Sequence, residues 1–107
     1  MRRGDVYWVD FDPTRGSEIQ KTRPAVIVSA TGANYRLDRV QVVPLTSNIS
    51  RVYPSEVIVE ADGRLSKALA NQIRTVAKER LGRRMGALSP SDLFAVDLAL
   101  RVQLNLM

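Results

Sequence analysis

Histidine and cysteine are both absent from this 107-residue chain. Imidazole is the usual side chain for proton transfer near neutral pH, so its absence excludes a Ser-His-Asp hydrolase, a paired-histidine nuclease and a histidine-bound zinc site. The absence of thiols excludes disulfides and thiolate metal sites, and it makes cytoplasmic residence the default expectation. Any catalysis must therefore use carboxylate, hydroxyl, guanidinium or lysine groups.

Long apolar runs are missing as well. No run approaches the roughly 20 residues that a membrane span needs. The first five residues lead into an alternating segment and not into the apolar region of a signal peptide. Because typical domains hold roughly 100–200 residues, we expect a single domain over residues 1–107.

Acidic residues are scarce in one part of the chain. The formal net charge is +5, and a basic balance in a small domain suggests a polyanionic partner. Between Asp62 and Leu88 only Asp62 and Glu79 oppose seven cations: Arg64, Lys67, Arg74, Lys78, Arg80, Arg83 and Arg84. This regional clustering favours a binding face over general solubility.

Alternation and β-branched runs predict four strands. These are Val6–Phe11, the apolar run after Arg23-Pro24, Val40–Thr46 and Glu56–Glu60. Pro44 cannot donate a ladder hydrogen bond, so it predicts an edge strand or a bulge. Residues 31–38 are expected to form a loop or a short helical turn. Residues 66–74 are rich in helix formers, and their intrinsic propensity alone favours a helix.

The end of the chain predicts a helix. Ser89 is a good N-cap, Pro90 suits the first helical position, and Asp92 gives a capping-box-like third residue. We expect an ion pair between Asp97 and Arg101. The apolar positions are wide enough for a core face and a partner face: Leu93, Val96, Leu98, Leu100, Val102 and Leu104. Several short strands and one terminal helix fit a mainly β (α+β) fold, a small bent barrel with the C-terminal helix packed on it.

Arg23 stands at the junction between a polar loop and a buried strand. Pro24 restricts the backbone of the residue before it to an extended conformation. A guanidinium at the mouth of a strand is well placed to bind a phosphate, although a solubilising surface arginine has the same local pattern. Trp8 has two possible roles in the same way, packing in a core or interface and stacking on a base.

Six stretches, in the family's own order and spacing, resemble the MazF/PemK (Kid) family of toxin endoribonucleases: RGDVYWVDFDP (3–13), GSE (16–18), RPAVIV (23–28), VPLTS (43–47), YP (53–54) and QIRTV (72–76). The resemblance covers almost the whole chain. It implies an SH3-like barrel, a homodimer, no cofactor, and metal-independent cleavage of single-stranded RNA at short motifs. It also implies a cognate antitoxin with an acidic disordered C-terminal segment, and a strand over residues 68–72 in place of the helix.

The resemblance also implies site residues. Arg23 and Thr46 match the catalytic arginine and threonine, and Glu18 matches an acidic residue of the first loop. Ser17 fills a position that is histidine in the Kid branch. Asn71 departs from the aspartate or glutamate of several relatives, and an amide cannot take a proton.

The chemistry of RNA cleavage fits these groups. Attack by the ribose 2′-OH needs a stabiliser for the phosphorane, which a bidentate guanidinium such as that of Arg23 supplies. Thr46 can donate its hydroxyl to a phosphate oxygen, or alternatively cap the end of its strand. Glu18 can act as base if its pKa is suitably placed, or alternatively form an ion pair with Lys21 or Arg15. The sequence assigns no general acid.

Binding RNA needs cations and amide or hydroxyl groups. We expect Arg15, Lys21, Lys67 and Arg74 to contact phosphates. Base edges of an unstacked strand can be read by Ser47, Asn48, Asn71 and Gln72, and Ser17 completes the RNA-binding surface. Two other functions stay open at this point. One is a toxin of the same fold that binds gyrase, as CcdB does, and the other is a non-catalytic nucleic-acid-binding barrel.

Overall fold

The computed structural model describes residues 1–12, 16 and 21–106. The strands are β1 (Asp5–Asp10), β2 (Thr22–Ile27), β3 (Arg39–Thr46), β4 (Glu56–Ala61), β5 (Arg64–Leu69), β6 (Arg74–Ala77) and β7 (Leu81–Ala87). The helices are α1 (Thr31–Arg36) and α2 (Pro90–Leu104), with short 3₁₀ turns at Ala70–Gln72 and Lys78–Arg80.

The strands form one curled antiparallel sheet in the order β4-β5-β3-β2-β1-β7, with β6 also paired to β3. This half-barrel with a C-terminal helix confirms the predicted fold class. Two clusters of buried apolar side chains fill its two sides. One includes Val26, Leu45 and Val96 and lies under α2, and the other includes Phe11 and Ile27.

β3 is a central strand, so the prediction that Pro44 marks an edge strand or a bulge is wrong. On one side Pro44 is opposite Ala25 of β2. On the other side β3 pairs with β6 up to Val42 and with β5 from Leu45 onward. Pro44 lies in the gap between these two partners, where a backbone N–H is not needed for a ladder.

Residues 68–72 are only partly a strand. Ala68 and Leu69 end β5, but Ala70–Gln72 forms a 3₁₀ turn. Neither the helix favoured by propensity nor the full strand implied by the resemblance is formed. The turn ends with a hydrogen bond from Ile73 N to Ala70 O of 3.2 Å.

α2 begins as its cap predicts, because the Ser89 side chain accepts a hydrogen bond from Asp92 N. The Asp92 carboxylate reaches β4 instead of its own N-cap and accepts a hydrogen bond from Glu60 N at 2.9 Å. Asp97 pairs with Arg3 and not with Arg101. Both carboxylates therefore tie the helix to the rest of the fold.

None of the helices in the described ranges has the length and apolar character that crossing a membrane requires.

Candidate functional site: an arginine-lined cleft

Arg23 and Thr46 lie where two central strands part. Ala25 of β2 is opposite Pro44 of β3, and the same register continued by two residues would place Arg23 opposite Thr46. The ladder stops at Ala25 because the end of β3 turns to pair with β5, with Thr46 opposite Lys67. Both residues are half-buried where the two strands separate.

A cleft of about 400 Å³ opens beside the same strand ends, which is within the usual range for a ligand site. Its wall includes the start of β2, the end of β3, the β4–β5 turn and β7. The lining residues are Trp8, Thr22, Arg23, Pro24, Leu45, Ser47, Ala61, Asp62, Arg64, Leu65, Ser66, Arg83 and Met85. Thr46 stands between Leu45 and Ser47 at the border of the cleft and is not itself one of the described residues that line it.

The charge of the cleft is positive. Arg23, Arg64 and Arg83 line it, against the single lining carboxylate of Asp62. The guanidinium groups of Arg64 and Arg83 form no hydrogen bond or ion pair with any residue that the structure describes. Such guanidinium groups are available to phosphate oxygens.

Thr46 and Asn48 shape the turn that leaves β3. The Thr46 Oγ1 accepts a hydrogen bond from Asn48 N at 3.3 Å, so the threonine does cap its strand. Its hydroxyl hydrogen remains available to donate, because a hydroxyl can accept and donate at once. Asn48 Oδ1 in turn accepts from Ser50 N and Ser50 Oγ, and Ser47 is exposed at the rim.

Lys67 requires a correction. The sequence predicts a phosphate contact, but Lys67 is 8% exposed and its Nζ lies 3.1 Å from Glu56 Oε1. The same ammonium donates to Arg51 O at 2.6 Å. A buried ammonium with these two partners is not available to RNA phosphates.

Three more of the predicted RNA-binding residues lie in β6 and in the 3₁₀ turn before it. Arg74 begins β6, where its Nη1 donates to Phe11 O at 3.2 Å and its guanidinium lies 5.7 Å from the centre of the Phe11 ring. Asn71 is exposed and Gln72 half-buried in the preceding 3₁₀ turn.

Lys21 is exposed and has a left-handed backbone with φ of 65°. Its N–H donates to Asp12 Oδ1 at 3.1 Å, which fixes the entry into β2. The predicted site residues Arg15, Ser17 and Glu18 lie outside the described residues.

Arg64 and Arg83 line the cleft, although the sequence analysis did not place them among the site residues. Trp8, for which packing and base stacking were both left open, lines the cleft as well. The cluster of cations between residues 62 and 88 was the available signal for the two arginines. Arg83 can be distinguished from Arg84 only when β7 is known to be a strand, because side-chain alternation then places the two arginines on different faces.

The family model for PemK-like, MazF-like toxins of type II toxin–antitoxin systems matches residues 2–104 of the sequence. The chain belongs to this family. That finding confirms the family inferred from the motifs. Endoribonuclease MazF9 of Mycobacterium tuberculosis is 47% identical, with 99% of this chain and 98% of the relative covered. The endoribonuclease toxin MazF of Escherichia coli is 37% identical, with 92% and 89% covered. The predicted enzyme class, an endoribonuclease, agrees with these relatives.

Solved structures of the MazF-like family share the fold. A mycobacterial endoribonuclease in complex with its cognate antitoxin superposes with a TM-score of 0.85 at 27% identity, covering 100% of this chain and 97% of that chain. MazF from Deinococcus radiodurans gives a TM-score of 0.86 at 27% identity, covering 98% and 96%.

Proposed function

We propose that this MazF-like toxin cleaves single-stranded RNA at short sequence motifs without a metal ion. The ribose 2′-OH attacks the adjacent phosphorus, the bond to the 5′-oxygen breaks, and the products carry a 2′,3′-cyclic phosphate and a 5′-OH. The observation that carries the proposal is the position of Arg23 and Thr46 at diverging strand ends beside an arginine-lined cleft.

Arg23 stabilises the phosphorane in this mechanism. Its planar guanidinium stays charged at every relevant pH and matches two phosphate oxygens. Thr46 donates its hydroxyl hydrogen to the same phosphate from the opposite strand. Glu18 of the first loop serves as the base that takes the 2′-OH proton.

The cleft holds nucleotides next to the scissile phosphate. Arg64 and Arg83 contact phosphates there, and the Trp8 ring offers a stacking surface for an unpaired base. Asn71, Gln72 and Arg74 extend the contact surface along the 3₁₀ turn and β6, together with Ser47, Asn48 and the first-loop residues Arg15, Ser17 and Lys21. Lys67 has no place in this surface.

The proposed partners of the chain are a cognate antitoxin and a second copy. An acidic antitoxin segment is complementary to a chain of net charge +5 and would compete with RNA for the cleft. A second copy would cover the outer face of α2, where Phe94, Leu98 and Val102 are 60%, 44% and 59% exposed at helical spacing. Sedimentation of Leu98→Glu against the unaltered chain tests this interface, since loss of a dimer supports it and an unchanged mass contradicts it.

Incubation with RNA in excess chelator tests the cleavage proposal. The unaltered chain should cleave, and Arg23→Ala should be slower by about a hundred- to a thousandfold, the scale of one oxyanion donor. Arg101→Ala removes an exposed arginine of α2 and serves as control. Binding without cleavage would indicate a nucleic-acid-binding barrel. Neither binding nor cleavage would indicate a toxin with a protein target.

A further inference from the structure

A buried pair of opposite charges lies beneath the segment that joins β3 to β4, residues 47–55, which we name the β3–β4 loop. Lys67 Nζ and Glu56 Oε1 are 3.1 Å apart, and their side chains are only 9% and 8% exposed. Lys67 stands opposite Thr46 in the β3–β5 ladder and opposite Ile58 in the β4–β5 ladder. Directly opposite residues of a ladder share a face, so Lys67 lies beside the proposed catalytic threonine on the neighbouring strand.

Both charges bond to the backbone of the loop. Lys67 Nζ donates to Arg51 O at 2.6 Å. Glu56 Oε1 accepts from Tyr53 N at 3.0 Å, while Glu56 N donates to Tyr53 O at 2.9 Å. Two neighbouring points of an exposed loop are thus attached to one buried ion pair.

The other end of the loop is fixed by the turn of Thr46, Asn48 and Ser50 described above. Between the two attachments lie the exposed residues 47–50, which include the predicted base-contacting groups of Ser47 and Asn48. Their positions depend on both ends of the loop being held.

We infer that Lys67 and Glu56 are positioning residues that hold the β3–β4 loop in the conformation that selects the RNA sequence, and this inference rests on the proposed function. Stability alone does not account for the pair, because apolar residues of similar volume often replace a buried ion pair without loss. What apolar residues cannot supply is the donor for Arg51 O and the acceptor for Tyr53 N.

Two variants separate positioning from stability. Lys67→Met leaves Glu56 buried and unpaired, and it should lower the melting temperature. The double variant Glu56→Met with Lys67→Met removes both charges and should restore most of that loss. Arg64→Met removes another cation of β5, one without a partner among the described residues, and serves as the matched control.

The first readout is cleavage of the folded protein by trypsin after Arg51, followed by mass spectrometry. This measurement needs no RNA. In the unaltered chain and in Arg64→Met the held loop should resist trypsin. Both Lys67 variants should be cut at least about tenfold faster, since an exposed segment released from its attachments opens locally.

The second readout is discrimination among short RNAs that carry a 2′-O-methyl group on every ribose and so cannot be cleaved by 2′-OH attack. Binding is followed by fluorescence anisotropy. The double variant should lose about tenfold of the preference between the best and the worst sequences, the scale of one hydrogen bond, while Arg64→Met keeps that preference and binds all sequences more weakly.

The outcomes are distinct. A double variant with a normal melting temperature, a trypsin-sensitive loop and a flattened preference supports the inference. A double variant that matches the unaltered chain in both readouts overturns it and leaves the pair a structural one. If the unaltered chain binds selectively but does not cleave ordinary RNA, the proposed cleavage fails while the positioning role stands. If it shows no preference among RNAs, the positioning role fails.

Discussion

Arg83 and Arg84 are consecutive residues of β7, but within the described ranges only Arg84 has a carboxylate partner. Its Nη2 lies 3.1 Å from Asp5 Oδ1, and this hydrogen bond raises the pKa of the Arg84 guanidinium above its usual value. Arg83 lines the cleft instead. Two residues of the same type and neighbouring sequence position thus have different environments.

We expect Arg83→Ala to weaken RNA binding by about three- to tenfold and to leave the melting temperature nearly unchanged, because it removes a phosphate contact and no internal one. Arg84→Ala should lower the melting temperature and leave the RNA affinity nearly unchanged, since the buried Asp5 loses its cation. Anisotropy titrations and thermal denaturation of both variants measure this. Equal losses of affinity would show that the cleft does not bind RNA.

Binding should also weaken steeply with salt. Each phosphate contact contributes about 0.7 to the slope of log K against log salt on a single strand, so several arginines give a slope of several units. Arg83→Ala should reduce that slope by less than one unit, whereas Arg101→Ala on α2 should leave it unchanged. A flat salt dependence in the unaltered chain would rule out the cleft cations as the binding surface.

Asn71→Asp tests whether this position reads bases or transfers protons. Asn71 is exposed in the turn before β6, and Arg23, Thr46 and Glu18 can form a catalytic set without this residue. We expect weaker binding and an altered sequence preference, because two amide donors are replaced by a charge that repels phosphate. A pH–rate profile on one RNA is the measurement. Faster cleavage with a new ionisation at mildly acidic pH would contradict this expectation and assign proton transfer to the position.

Gly4→Ala should destabilise the fold by about 1–3 kcal/mol. Gly4 has φ of +96°, and a Cβ placed there would lie 3.1 Å from Leu93 Cδ2 of α2, so both the backbone and the helix contact would be strained. Gly32→Ala in α1 is the control, because it meets nothing within 4 Å and alanine favours a helix. Urea denaturation of the two variants gives the comparison. A loss of under about 0.5 kcal/mol in Gly4→Ala would show that α2 shifts freely.

Patterns that depend on local backbone chemistry could be predicted from the sequence. The Ser89 cap, the start of α2 and the four alternating or apolar strands lie where expected because caps and side-chain periodicity are local properties. β7 could not be predicted in the same way. It carries Gly82, Arg83, Arg84 and Gly86, and it becomes a strand by pairing with β1 at the far end of the chain.

Long-range contacts also explain why the predictions for Pro44 and Lys67 were wrong. Pro44 is compatible with a central strand only because two different strands meet β3 on one side. In the sequence, Lys67 is one of the clustered cations of residues 62–88 and nothing distinguishes it from the others. Only the fold shows that Glu56 and Arg51 lie within reach of its ammonium. A sequence pattern records that a cation is present but not which groups surround it.

The pairing of β1 with β7 has a consequence for synthesis of the chain on the ribosome. Proteins emerge from the N-terminus, so β1 gains this neighbour only after residues 81–87 have been synthesised. Arg83 and Met85, which line the cleft, arrive with the same strand. A nascent chain that has emerged only as far as β6 therefore lacks one wall of the cleft. Under the proposed function, such a chain would lack the phosphate contact of Arg83 until β7 has been synthesised.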